Sequence, residues 1–427
     1  MSIHVEEVLE FVEENDIKFI RLTFCDLFGV QKNTAILSSQ LERALRRGMP
    51  FDASAVPGFA GLEEGDLLLF PEPGTLALMP WRPAQGRVAR FCCALRRGDG
   101  SPAPGDGREF LRRAAAQAAE LGYAARLGTQ CEFYLFSTDG EGRPTLEPQD
   151  RAGYLDVAPA DRGENVRREI CLTLEEMGVT PESSHHERGP GQNEIDFQAA
   201  APLKAVDNYL SLRTVVKAVA SRNGLYASFL PKPLQDQSGS GLHLDLSLFR
   251  EGENLFDGFL GSPHPDAGAF LAGVMRRLPE MTIFLNPLPG SYRRLGSLGS
   301  SLAVAWSGRS RSRLLRVPSA PGEPGRMEVR SPDPACNPYF AVGLLLLAGL
   351  EGVRDGLAAP AQEEGAGRLP AAMDLALELA RQSGFLRRSL PEGVLDAFLD
   401  EKGRQWEEYR HARNQHQWEL DRFFEMI

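Results

Sequence analysis

The stretch Ala125–Phe136, ARLGTQCEFYLF, reads as a β-strand, and its alternation says what must surround it. Gln130 and Glu132 are two residues apart and share a face, while Cys131 and Phe133 point the other way. A strand that is apolar on one side and carries an amide and a carboxylate on the other must turn that second side toward water or ions. The segment therefore belongs to a sheet with one face on a core and one face on a site. Just upstream, Arg108–Leu121 has apolar residues at helical spacing, so the region mixes α and β. Before that, Pro and Gly fill six of the ten positions of Gly98–Gly107 (GDGSPAPGDG), the clearest linker-like break in the chain.

On the N-terminal side of the break, Val5, Val8, Leu9 and Val12 recur at helical spacing, and Lys18–Ala35 is rich in β-formers around Asp26 and Gly29, a hairpin pattern. From Pro370 onward, apolar residues at helical spacing among many charges predict several terminal helices. The 427 residues suffice for two or three domains and a large core. The charge balance is 47 − 58 = −11, which argues against nucleic acid or an anionic membrane as main partner. Met1–Asp16 is acidic and lacks the basic and apolar regions of a secretory signal, so a cytoplasmic chain is expected. The longest apolar run, Phe340–Leu350, falls short of the roughly 20 residues of a membrane span and reads as a buried helix. Six cysteines without any C-x-x-C spacing read as free thiols.

Three segments carry residues suited to chemistry. In His185–Glu194 (HHERGPGQNE) two carboxylates and two imidazoles fall within ten residues, around a Gly-Pro-Gly turn that would juxtapose them, a solvated polar loop being the other reading. Hard cations take such oxygen ligands, although a lone carboxylate in a loop is commonly just solvated. His243 sits in the alternating strand LHLDLSL with Asp245 and Ser247 on its face; a lone strand histidine is more often structural, unless it points at those carboxylates. Between Arg293 and Arg330 there are eight arginines against two acids, and Arg309, Arg311 and Arg313 would share one face of a strand. Guanidinium forks suit phosphate and carboxylate, and a charged edge or subunit contact is the other use of such a cluster. No G-x-x-x-x-G-K-[ST] loop is present, so a phosphate ligand would be held by side chains and metal.

Taken together, Phe51–Asp66 (FDASAVPGFAGLEEGD), Gly128–Phe136, His185–Glu194, Lys232–Ser247 (KPLQDQSGSGLHLDLS), Asn286–Leu295 (NPLPGSYRRL), Ala305–Pro318 (AWSGRSRSRLLRVP) and Arg326–Tyr339 (RMEVRSPDPACNPY) make the chain resemble glutamine synthetases of the bacterial type I class. The resemblance runs essentially end to end and implies an α+β fold. A small β-grasp domain over residues 1–100 would precede a catalytic domain over 101–427, whose curved antiparallel sheet is flanked by helices. It implies a homo-oligomer of stacked hexameric rings, commonly a dodecamer, acting on glutamate, ATP and an amine with Mg²⁺ or Mn²⁺. Carried over by motif, Glu132, Glu187 and Glu194 would hold the cation nearer the glutamate, and Gln130, His243 and Glu328 the cation between nucleotide phosphates. Arg294 would bind the α-carboxylate and Arg330 the γ-carboxylate or its phosphate, with Glu132 and Gly239 also in the glutamate site. Arg311 and Arg316 would face the ATP phosphates, with Arg326 and Ser247 on the nucleotide side, and Asp52 would reach into a neighbour's site to help bind ammonium.

The chain departs from the family pattern on the amine side and at one cation. Gln130 stands where G-x-E-x-E-F has a carboxylate, which predicts weaker metal binding there and tightening by Gln130→Glu. Leu295–Trp306 (LGSLGSSLAVAW) has no ionisable side chain, and Gly299 or Ser300 takes the place of the flap glutamate that accepts a proton from ammonium. Ser238 replaces an asparagine, Asp245 a second strand histidine and Ala55 a serine. Two readings follow. One is a glutamate–amine ligase whose nitrogen donor is ammonia or, given the neutral flap, an organic amine. The other is a catalytically weak homologue that binds nucleotide or glutamate and acts through assembly or regulation.

Overall fold

The structure is a computed structural model that describes residues 5–63, 65–82, 85–297, 302–318 and 322–427. The expected first helix, α1 (Val5–Glu14), buries Val8 and Val12. Strands β1 (Ile17–Cys25) and β2 (Gln31–Leu37) form the expected antiparallel hairpin. Asp26 closes its turn by accepting the N–H groups of Phe28 and Val30, at 3.0 and 2.9 Å. Helix α2 (Leu41–Arg47) and strands β3 (Met49–Asp52), β4 (Asp66–Pro71), β5 (Ala77–Leu78) and β6 (Arg87–Arg96) complete a sheet of order β2-β1-β6-β4-β3, with β5 on β6. Its central pair, β1 and β6, runs parallel, the arrangement of a β-grasp fold.

Gly98–Gly107 is a folded corner where a linker was expected. The Ala103 N–H donates to the Leu95 carbonyl at 2.9 Å. Asp106 accepts the Leu95 N–H at 2.9 Å and, through its other oxygen, the Arg108 N–H at the start of α3 (Gly107–Glu120). One buried carboxylate thus ties the end of β6 to the following helix.

The remainder follows as β7 (Ala124–Thr138), β8 (Pro144–Pro148), α4 (Glu164–Glu176), β9 (Pro181–His186), β10 (Gln192–Ala200), α5 (Pro202–Arg222), β11 (Leu225–Ser228), β12 (Leu242–Arg250), β13 (Glu253–Asn254), α6 (Pro265–Leu285), α7 (Pro289–Arg294), β14 (Trp306–Ser307), β15 (Leu315–Arg316), β16 (Met327–Val329), α8 (Pro338–Arg354), α9 (Met373–Gln382), α10 (Gly384–Ser389), α11 (Val394–His411) and α12 (Gln415–Phe423). The strands build a ten-stranded sheet of order β14-β15-β16-β12-β7-β10-β9, with β8 and β11 on β7 and β13 on β12. It is antiparallel except for the short parallel pair β14/β15. As the alternation of β7 predicts, Cys131, Phe133 and Leu135 are fully buried on one side. Helix α8 is apolar all round and buried, as read for Phe340–Leu350. It crosses α6 at glycines: a Cβ on Gly352 would lie 2.1 Å from the Ala269 carbonyl oxygen. No helix among the described residues is long and apolar enough to cross a membrane.

The ends of His185–Glu194 are the facing strands β9 and β10, with Gly191 at φ 67° in the turn between them, so ladder pairing brings the two ends together. One local expectation is corrected. Arg309, Arg311 and Arg313 lie in a turn between β14 and β15 and not on a strand, because Ser307 and Ser310 hydroxyls accept backbone N–H groups there and curl the chain.

Candidate active site

The register of the large sheet assembles the site. Glu132 on β7 is paired with Glu194 on β10, which is paired with His185 on β9. One rung along, His243 on β12 pairs with Gln130, which pairs with Asp196. On the next, Asp245 pairs with Glu328 on β16, which pairs with Arg316 on β15. Because these positions differ by two along each strand, their side chains leave the same face. That face is the floor of a cavity of about 800 Å³.

Gln130, Glu132, Glu187, Glu194, Gly239, His243, Arg294, Arg311, Arg316, Arg326, Glu328 and Arg330 all line it, so residues scattered over two hundred positions meet as expected. Two do not. Asp52 is exposed at the end of β3, where its carboxylate accepts the Ser54 N–H and hydroxyl, at 2.9 and 2.6 Å. Ser247 is buried and not among the cavity-lining residues; its hydroxyl donates to the Gly325 carbonyl at 2.9 Å. The flap positions Gly299 and Ser300 lie outside the described residues.

The carboxylates are crowded. His185 Nε2 lies 3.1 Å from Glu187 Oε1 and 3.7 Å from Glu194 Oε1. Glu132 accepts the Gly241 N–H at 2.9 Å and the Gln192 amide at 3.1 Å. Burial and then the charge of Glu187 push Glu132 up to about 7, and burial followed by Glu132 pushes Glu194 well above the carboxylate range. Arg294 and Arg330 act on Glu132 but do not offset burial and the neighbouring carboxylates, and a divalent cation is a species that would. Burial, with Arg330, Arg294, Arg316 and Arg311 behind it, pushes His243 well down, leaving a neutral imidazole fit to ligate. Glu132, Glu194 and His243 offer ligand atoms within 4.8 Å of one another, as do His185, Glu187 and Glu194. The oxygen-rich donor set with one or two imidazoles fits Mg²⁺ or Mn²⁺. A third group, Asp150, Asp161 and His186, is closed on itself: His186 Nε2 bonds Asp150 at 2.9 Å and Asp161 pairs with Arg167 at 2.5 Å.

The arginines face this acidic floor. Glu328, almost fully buried, is held between Arg316 at 2.5 Å and Arg330. Arg294 donates to the Ser331 and Pro332 carbonyls, the latter at 3.1 Å, and its Nε is buried with no partner among the described residues. Gly239 is a glycine for Arg294's sake: a Cβ there would stand 2.5 Å from Arg294 Cγ and 2.5 Å from the Pro231 carbonyl oxygen. Arg326 Nε lies 3.4 Å from Asp245.

The reading of the residues missed Asp196 and Tyr154, both on the cavity wall. Asp196 was findable, since it follows Glu194 by two on a strand. Tyr154 stands edge-on to His185 with ring centroids 5.5 Å apart, and it sits in an irregular loop that no periodicity marks.

Comparison with known proteins agrees with this geometry. Residues 16–97 match the family model of the glutamine synthetase β-grasp domain, and residues 104–423 that of the glutamine synthetase catalytic domain. Among curated relatives, the glutamine synthetase of Clostridium saccharobutylicum is 42% identical over 435 residues, covering 98% of both chains. That of Methanosarcina mazei is 40% identical over 439 residues, covering 99% of this chain and 98% of its own. Among solved structures, a GmaS/ADP complex superposes with a TM-score of 0.85 at 27% identity, covering 99% of each chain. With both domains matched, and with carboxylates and arginines meeting across one sheet, the chain belongs to the glutamine synthetase family and is a carboxylate–amine ligase of that type.

Proposed function

We propose that the chain uses ATP to phosphorylate the γ-carboxylate of glutamate and transfers the γ-glutamyl group to ammonia or an organic amine. The observation that carries this reading is the opposition, across one cavity, of the Glu132, Glu187 and Glu194 cluster and the Arg294, Arg311, Arg316 and Arg330 set. Glu132, Glu187 and Glu194 would hold one divalent cation, and Gln130, His243 and Glu328 another. Bound there, such ions would neutralise phosphate charge that otherwise repels a carboxylate nucleophile. Arg294, whose Nε is unpartnered, binds the α-carboxylate; Arg330 orients the γ-carboxylate; Arg311, Arg316 and Arg326 bind the phosphates. A γ-carboxylate oxygen bonds to the terminal phosphorus as its bond to ADP breaks. The amine nitrogen then bonds to the γ-carbon as phosphate leaves, and the nitrogen gives its proton to a base. That a structural relative was solved with ADP supports a nucleotide in this cavity.

The acceptor is the point on which this chain is its own. Leu295–Trp306 contains no ionisable side chain, so no flap carboxylate there attracts an ammonium ion or takes its proton. A small neutral segment leaves room for a substituent on nitrogen. Asp52, exposed and outside its own subunit's cavity, would act only on a neighbouring copy, in keeping with a homo-oligomer of the family's kind. Residues 1–100 and 101–427 are taken as the two domains, and the cytoplasm as the compartment.

The deciding experiment measures ADP release with ATP, Mg²⁺ and L-glutamate, comparing no amine, ammonium, and a panel of primary amines and polyamines, with product mass read in the same reactions. Turnover with a matching γ-glutamyl product names the acceptor. Silence across the panel with ATP binding retained moves the assignment to a binding or regulatory homologue.

A further inference from the structure

We propose that Glu419, on the C-terminal helix α12, is a positioning residue for glutamate binding, which acts by fixing α7 so that Arg294 meets the α-carboxylate; the proposal rests on the reading that Arg294 binds that group. Helix α7 has six residues, too few to hold its place by its own hydrogen bonds, so its position is set by what grips it. Pro289 has no N–H, which makes the Gly290 N–H the first donor of the helix, and Glu419 Oε1 accepts it at 2.6 Å. The other oxygen of Glu419 pairs with the Arg293 guanidinium, whose Nη1 donates to the Tyr409 hydroxyl on α11 at 2.6 Å. Glu419 is only 2% exposed, and residue 290 has to be glycine for its sake, since a Cβ there would collide with Glu419 Oε1.

Arg293 does not line the cavity, whereas Arg294, the next residue, does. Successive residues of a helix point about 100° apart, so one carboxylate can grip Gly290 and Arg293 from behind while Arg294 faces the ligand. The Arg294 guanidinium has a separate anchor, the Ser331 and Pro332 carbonyls. Head and backbone are thus held independently, and a shift of α7 would misplace the Arg294 Nε, which has no partner among the described residues. It would not reach Arg311 and Arg316, which belong to β15 and the turn before it. A neutral amide at 419 can still accept the Gly290 N–H through its oxygen, but it turns an NH₂ toward the Arg293 guanidinium, donor against donor. Removing one partner of a buried ion pair leaves the other charge uncompensated, so the grip on α7 is lost.

The test is calorimetric binding of L-glutamate and of ADP, each with Mg²⁺, to the whole protein, with thermal unfolding as the control for folding. Glu419→Gln is expected to weaken L-glutamate binding about tenfold and to leave ADP affinity within about twofold, because a misplaced arginine is felt by the group it binds. In an Arg294→Lys background the same change should add little, since residues that act through one contact are not additive. Arg293→Lys keeps a charge for Glu419 but has no second arm for Tyr409, so it should weaken L-glutamate by a smaller factor, and it carries the test should Glu419→Gln not fold. Unchanged L-glutamate affinity, equal loss of both ligands, or full additivity with Arg294→Lys overturns the positioning role while leaving the ligase reading in place. Unchanged L-glutamate affinity in Arg294→Lys, or failure of the unaltered protein to bind L-glutamate, overturns the reading of Arg294 and the role of Glu419 with it.

Discussion

Glu132 and Glu194 stand directly opposite each other on β7 and β10, a half-buried and a buried carboxylate in one ladder rung. Burial leads in raising both, with Glu132 held at about 7 against an unfolded value of about 4.3. A carboxylate raised on folding contributes stability that is complete below the unfolded value and is lost as pH rises through the folded one. The metal-free protein should therefore lose stability between about pH 5 and 8, by an amount on the order of a few kcal/mol, seen as a falling melting temperature. Mg²⁺ should restore it, and the increment should grow over the same interval. Thermal unfolding with and without Mg²⁺ checks this, and an equal Mg²⁺ effect at both ends of the range would remove these two residues from the metal site.

Arg294 is rigidly anchored by two backbone carbonyls from the segment after β16. Lysine cannot reproduce a planar fork, so Arg294→Lys should lose one charge-assisted bond to glutamate and raise its KM by roughly ten- to a hundredfold. The KM for ATP should change little. Steady-state kinetics against each substrate reads the difference, and parallel loss for both would argue that Arg294 does not select glutamate.

Gly239→Ala puts a methyl 2.5 Å from both Arg294 Cγ and a backbone oxygen of Pro231. Backbone cannot yield cheaply, so Arg294 must move, at a cost of about 1–3 kcal/mol in stability. Glutamate affinity should fall at least tenfold. A variant with unchanged glutamate binding would show that the loop before β12 has slack.

Restoring a flap base is a gain-of-function test. Gly299→Glu or Ser300→Glu should raise ammonia-dependent turnover by about 10²-fold, the usual worth of a positioned base, and should depress turnover with bulky amines. Absence of any ammonia gain in both variants would mean that the missing carboxylate is not what limits the reaction.

Much of the site was legible before any coordinates, for a physical reason. Strand periodicity sends alternate residues to one face, so Gln130 with Glu132, and His243 with Asp245, could be grouped from spacing alone. The apolar run of α8 and the hairpin around Asp26 were equally local. Arg309, Arg311 and Arg313 misled because the same spacing of two occurs in a serine-pinned turn, where hydroxyls compete with the ladder for backbone N–H groups.

What the amino-acid order determines here is composition by face: which residues share a strand side, which helices must be buried, and which set of motifs marks a glutamine synthetase. What it leaves open is register between strands far apart in the chain. The pairing of β7 with both β10 and β12 puts Glu132 against Glu194 and Gln130 against His243. Only that pairing reveals that Asp245 reaches Gln130, that Ser247 is bonded to Gly325, and that Gly239 makes room for Arg294. Those contacts depend on ångström-scale placement between segments up to 115 residues apart, and only close packing of the folded core sets it.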